Sequence, residues 1–79
     1  VPPPLDRPAL LARRREIGDN LREARLAAGM TQERVALQAG IERPTLNRIE
    51  QGHAAARIDT LIQVSEVIGV DLGELMRRR

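Results

Sequence analysis

Glycine divides this chain at positions 29, 40, 52 and 69, and the stretches it leaves carry aliphatic residues at helical spacing. Ile17, Leu21, Ala24 and Ala28 form one apolar stripe before Gly29. Val35, Ala36 and Ala39 form a second before Gly40, and Leu46 with Ile49 a third before Gly52. Leu61, Ile62, Val64, Ser65 and Ile68 form a fourth before Gly69. A glycine just past such a stripe stops a helix, because it accepts the left-handed backbone that closes the last turn. No stretch alternates over strand length. The pattern therefore predicts an all-α domain of short helices.

The starts are also legible. Thr31, with Arg34 three residues on, is half a capping box ahead of the second helix. Pro44 falls in the first turn of a third helix, Arg43 to Glu50, where a missing N–H costs little. A fourth begins near Ile58 or Asp59. Asp71 is placed to cap a short fifth helix holding Leu72, Leu75 and Met76. Four of the five prolines precede residue 9, so Val1 to Pro8 reads as an extended lead. From Ala9, Leu10, Leu11, Ala12 and Arg13 to Arg15 favour helix, either as a separate piece or as a backward extension of the next one. Gly18 weakens the extension without forbidding it. The expected organisation is a Pro/Arg-rich arm at 1–15, a helical domain at 16–76 and a basic tail at 77–79.

Composition narrows the function. With 79 residues there is room for one domain with a small core. Phe, Tyr and Trp are absent, so the core is aliphatic and there are no stacking platforms for single-stranded nucleic acid. No cysteine is present, which excludes disulfides, thiolate metal sites and cysteine nucleophiles. One histidine and one serine, Ser65, set on an apolar helix face, offer no catalytic constellation. No enzyme, metal, cofactor or small-molecule ligand is expected. No apolar run reaches membrane length and no leader opens the chain, so a cytoplasmic, nucleoid-associated place is expected.

The net charge is +2, and every basic residue is Arg. From Glu16 to Met76 there are six Arg against ten acids, a balance of −4; the flanks carry seven Arg against Asp6, a balance of +6. Such tails are either solvated charge or arms that meet phosphate.

Gln32 to Gln51 is the informative stretch. Two short helices meet at Gly40. Ala36 is small where they must cross, and Val35, Ile41, Leu46 and Ile49 can fill the corner. That is what a helix-turn-helix requires, and it frees Arg43 through Arg48 for a major groove. An ordinary helical hairpin satisfies the same periodicity.

Five runs, in order, carry a more specific signal: Ile17-Gly-Asp-Asn-Leu-Arg-Glu-Ala-Arg25, Gly29-Met-Thr-Gln-Glu33, Gly40-Ile-Glu-Arg-Pro-Thr-Leu-Asn-Arg-Ile-Glu-Gln-Gly52, Asp59-Thr-Leu61 and Ile68-Gly-Val-Asp-Leu72. Together, over about residues 16 to 76, they resemble the Cro and phage-repressor (XRE) helix-turn-helix family. The resemblance implies a five-helix repressor-like domain, usually dimeric, that regulates transcription by binding double-stranded DNA at short inverted repeats. It implies that Gln32 reaches a phosphate or base edge, that Arg43, Pro44, Asn47 and Arg48 face the groove, and that Thr45 meets the backbone. Arg43 and Arg48 suit guanine; Asn47 suits adenine or a phosphate. It also implies that Arg25 and Glu50 pair beneath the motif as a structural clamp.

Two departures stand out. Glu42 replaces the usual Ser or Thr cap and sets negative charge near phosphate. The loop after Gly52, commonly basic in relatives, is His53-Ala-Ala-Ala56, leaving Arg57 as its one strong cation and shifting affinity toward the Arg tails. The competing reading is a module of the same type, such as an antitoxin, whose partner is a protein; the acidic body favours it. A self-sufficient regulator of this length suits the small controller proteins of restriction–modification systems, although no residue singles them out. The last segment is more apolar than its own docking needs. Leu72 and Leu75 are expected in the core, leaving Val70 and Met76 as candidates for a homodimer interface near the Gly69–Asp71 turn.

Overall fold

The computed structural model describes residues 1–79. Five helices run in the order α1 Arg7–Ala27, α2 Gln32–Ala39, α3 Arg43–Glu50, α4 Ile58–Ile68 and α5 Leu72–Met76. The N-terminal helix-forming stretch takes the backward-extension alternative: α1 is one continuous helix of 21 residues. It starts earlier than the prolines suggest. Asp6 is its N-cap, accepting from the N–H of Ala9 at 2.9 Å, and Pro8 sits in the first turn, where its ring is tolerated. Only the residues before Asp6 precede α1 and its cap, and they have no regular secondary structure.

One side chain from each helix is completely buried: Leu21, Val35, Leu46, Val64 and Leu75. Burial of an aliphatic side chain of this size contributes about 1.5–3 kcal/mol, so every helix is anchored to the common core by its own residue. Ala36, Ile49 and Leu61 complete the core, and Ile41, Ile68, Val70 and Leu72 pack against its margin. Ser65 is buried too, its hydroxyl donating to the carbonyl of Ile62 at 2.8 Å.

Three sequence expectations need correction. Ala28 is exposed, because α1 ends at Ala27 and residue 28 already leaves the stripe. Ile62 is 42% exposed, because the buried face of α4 runs through Leu61, Val64, Ser65 and Ile68, and a residue one step from Leu61 is turned about 100° away. Asp71 occupies the N-cap of α5, yet its side chain makes no capping bond; its carbonyl accepts from the N–H of Glu74 instead.

The turn between α2 and α3 closes in the Schellman pattern. Gly40, at φ 73°, sends its N–H to the carbonyl of Leu37, while the N–H of Ile41 reaches back to Ala36 at 3.0 Å. Ile41 thereby drops onto the α2–α3 corner. Gly29 and Gly52 close α1 and α3 with the same pair of bonds.

Gly18 contributes in a different way. It lies inside α1 and is buried. A Cβ built there would stand 2.4 Å from the carbonyl oxygen of Glu50 and 2.6 Å from that of Ile49. α1 thus crosses the end of α3 backbone against backbone, a distance only glycine permits. The N-terminal half of α1, the Ala54–Ala56 loop and Met76 border an open apolar groove floored by Ile17, Ile49 and Leu61.

Candidate nucleic-acid interface

α3 presents an exposed outer face of Arg43, Pro44, Thr45 and Arg48, with Asn47 half-buried beside them. Its opposite face, Leu46 and Ile49, is in the core. Residues 43, 44, 47 and 48 share one face because the helix repeats every 3.6 residues. Glu42 is the N-cap and makes no side-chain capping bond, which leaves the first-turn N–H groups open to solvent or to an anion. Arg57 is exposed at the N-cap of α4. His53 is exposed in the loop, its N–H bound to the carbonyl of Arg48 at 2.9 Å.

Beneath this face lies a buried ion pair. The Nε of Arg25 donates to one carboxylate oxygen of Glu50 at 2.7 Å, and a terminal nitrogen donates to the other at 3.1 Å. The remaining nitrogen reaches the carbonyl of Met30 at 2.9 Å. The side chains are 9% and 1% exposed. A forked, two-bond arrangement fixes the relative orientation of both ends. It locks α1, the α1–α2 turn and the last residue of α3 together, so it fixes the orientation of α3's outer face. Its role is geometric, since buried pairs add little net stability over apolar replacements.

Gln32 joins this clamp to the surface. Its Nε2 donates to Glu50 at 3.1 Å and to the Oδ1 of Asn47 at 3.1 Å, while Arg43 donates to its Oε1 at 3.3 Å. So the structure brings Arg25, Gln32, Arg43, Asn47 and Glu50 into one network. Thr45 and Arg48 stand outside it with free side chains, as does Arg57 on the neighbouring loop. The family resemblance implies an outward role for Gln32; here its amide nitrogen is spent inward.

The arginine-rich ends are less free than their composition suggests. Arg13 donates to the carbonyl of Met76 and lies 3.9 Å from Glu16. Arg79 grips Glu23 with two bonds, at 2.7 and 2.9 Å, and also reaches Asn20. Its guanidinium holds the Glu23 carboxyl below the ordinary carboxylate range through that hydrogen bond, and Glu23 in turn holds Arg79 in its charged form. The side chain of Asn20 donates to the carbonyls of Leu75 and Arg77. The acids of α1 thus fold the basic tail back onto the domain. Of the run at 13–15, Arg15 is exposed, and its backbone abuts Gly52 at the end of α3.

Val70 and Met76 do not come together. Val70 borders a depression with Ile62 and Leu72, whereas Met76 borders the groove beside Leu10.

Comparison with known proteins places this arrangement. The family model described as Helix-turn-helix (HTH_3) matches residues 21–75. The restriction-modification controller protein C.AhdI from Aeromonas hydrophila has a similar structure. The two are 26% identical, with a TM-score of 0.79, over 81% of this chain and 97% of that one. An HTH_3 family transcriptional regulator from Vibrio cholerae shares the fold at 20% identity and TM-score 0.77, over 84% of this chain and 37% of its own. This chain therefore spans little more than a third of that larger regulator. No curated protein matches it by sequence. From its matched family model and its helical architecture, the chain belongs to the helix-turn-helix family HTH_3, of the XRE type.

Proposed function

We propose that the protein is a transcriptional regulator that binds duplex DNA sequence-specifically, with α3 in the major groove. The observation that carries this reading is the exposed Arg43 and Arg48 on the outer face of a helix fixed from beneath by the Arg25–Glu50 pair. Arginine forks match the two acceptors of guanine, and a rigid platform is what base readout needs. Thr45 on that face, with the exposed Arg57 and Arg15, suits phosphates, which position the domain without reading sequence. The match to a controller protein over nearly that protein's whole length supports a transcriptional controller of that kind.

One recognition helix covers only a few base pairs. We therefore propose a homodimer on an inverted repeat, with half-sites about one helical turn (~34 Å) apart. Ile58 and Ile62, four residues apart on α4, are 55% and 42% exposed, and Ile62 adjoins Val70 and Leu72. Ile58, Ile62 and Val70 suit the apolar part of a two-fold contact near the Gly69–Asp71 turn, with Ser65, Glu66 and Asp71 beside them as its polar part, whereas Met76 lies in the other groove.

Selection from a random duplex library tests the reading. Enrichment of an inverted repeat is the expected result. Failure to enrich any sequence, with specific retention of a protein partner instead, would replace it with the protein-contact reading.

A further inference from the structure

The buried ion pair does more than hold α3 in place: it dictates which atoms α3 shows. A carboxylate can only accept hydrogen bonds. The Gln32 atom that faces Glu50 at 3.1 Å must therefore be its amide nitrogen. That nitrogen also faces Asn47 at 3.1 Å, so the Asn47 atom there must be the carbonyl oxygen. The other end of Gln32 is then an acceptor, which agrees with the donor supplied by Arg43 at 3.3 Å. Gln51 donates to the same Asn47 oxygen at 3.4 Å. An amide oxygen has two lone pairs, and both are in use. The Nδ2 of Asn47 has no partner within the protein, so both of its hydrogens remain available.

Resting on the DNA-binding reading above, we infer that Asn47 is a donor-only reader that selects guanine over adenine at the base it faces, with Gln32 as the residue that positions it. Adenine shows a major-groove reader one acceptor and one donor, and pairing with an asparagine needs the Oδ1 that Gln32 and Gln51 occupy. Guanine shows two acceptors, N7 and O6, and asks only for donors. Arg43 acts in the same sense, since an arginine has nothing but donors. The polarity passes from Arg25 through Glu50 and Gln32 to Asn47, so that Arg43, Asn47 and Arg48 all offer donors.

The experiment compares sequences selected from a random duplex library by the wild type, by Asn47→Ala and by the double variant Gln32→Ala with Gln51→Ala. Circular dichroism confirms that each is folded. The wild type is expected to enrich guanine at a position whose preference disappears in Asn47→Ala, with about tenfold or greater discrimination against adenine there. The double variant frees Oδ1, and adenine should then be accepted at that position. Replacing that guanine by 7-deazaguanine, which lacks the N7 acceptor, should weaken wild-type binding several-fold and leave Asn47→Ala unaffected. An Asn47-dependent adenine in the wild-type site would overturn the inference while leaving the DNA-binding reading intact. So would a double variant with the wild-type base preference. Absence of any enriched duplex for the wild type would overturn both.

Discussion

Replacing Gly18 by Ala should destabilise the domain, although the same change elsewhere in a helix stabilises it. Helix propensity favours alanine by about 1 kcal/mol. Against this, the new methyl would lie 2.4 Å and 2.6 Å from two carbonyl oxygens and 2.8 Å from the carbonyl carbon of Glu50. Restoring ordinary contact, near 3.4 Å, moves α1 and the end of α3 apart by about 1 Å. All three obstacles are backbone, so no side chain can rotate away. Overpacking of this kind costs about 1–3 kcal/mol, and with rigid elements on both sides the upper end applies. The separation also pulls on the 2.7 Å Arg25–Glu50 bond. The net loss is about 2 kcal/mol. For a domain of this size that corresponds to a fall in Tm on the order of 10 °C. Gly73, in α5, has nothing within 4 Å of the point where a methyl would stand and serves as the control: Gly73→Ala should raise Tm by a few degrees, for a gain of up to about 1 kcal/mol. Thermal melts followed by far-ultraviolet circular dichroism measure both, since the chain has no aromatic residue to report by fluorescence. If Gly18→Ala melts at or above the wild-type temperature, the backbone-on-backbone crossing is not what holds α3.

Arg25→Ala should cost about 3–5 kcal/mol in a urea or thermal melt, because Glu50 stays buried with Gln32 as its remaining partner. Arg43→Ala and Arg48→Ala should each lose roughly 1–3 kcal/mol of discrimination at one base pair, read by competition binding against single-base variants of the selected site. In a carboxyl NMR titration, Glu23 should have a midpoint below the ordinary carboxylate value, and Arg79→Ala should move it back up. Because the folded value is the lowered one, the contribution of the Glu23–Arg79 pair is complete above the ordinary carboxylate pKa and is lost as pH falls through the folded value. Sedimentation at micromolar concentration should show a dimer, and Ile62→Asp should dissociate it; a wild-type protein that stays monomeric on its selected DNA would remove the two-fold model.

Much of the fold is written locally. The stop at Gly40, the cap at Thr31 and the proline in the first turn of α3 each depend on a few adjacent residues, so the sequence displays them. The role of Gly18 does not appear, because a glycine inside a helix reads only as a penalty, and what makes it necessary are carbonyls of residues 49 and 50. The outward turn of Ile62 is hidden by a second apolar stripe, Ile58 and Ile62, beside the buried one. At the site, the outer face of α3 follows from its helical spacing, but the hydrogen-bond polarity of Asn47 does not. It depends on a chain of contacts from α1 through α2 to α3. The basic tail reads as free charge because its acids, Glu16 and Glu23, lie 63 and 56 residues away in the sequence.

The tying of the tail to α1 has a kinetic side. Its bonds span separations of 55 to 63 residues, whereas α2, α3 and α4 follow one another along the chain. Closing a loop that long is entropically slow, so the central helices can condense before the two ends meet. The beginning and the end of the molecule then seal in one step. Amide exchange in α1 around Arg13 to Glu23 and in α5 should open as a single unit rather than as two independently fraying ends. A force applied between the two ends would load this seal before it reached α3.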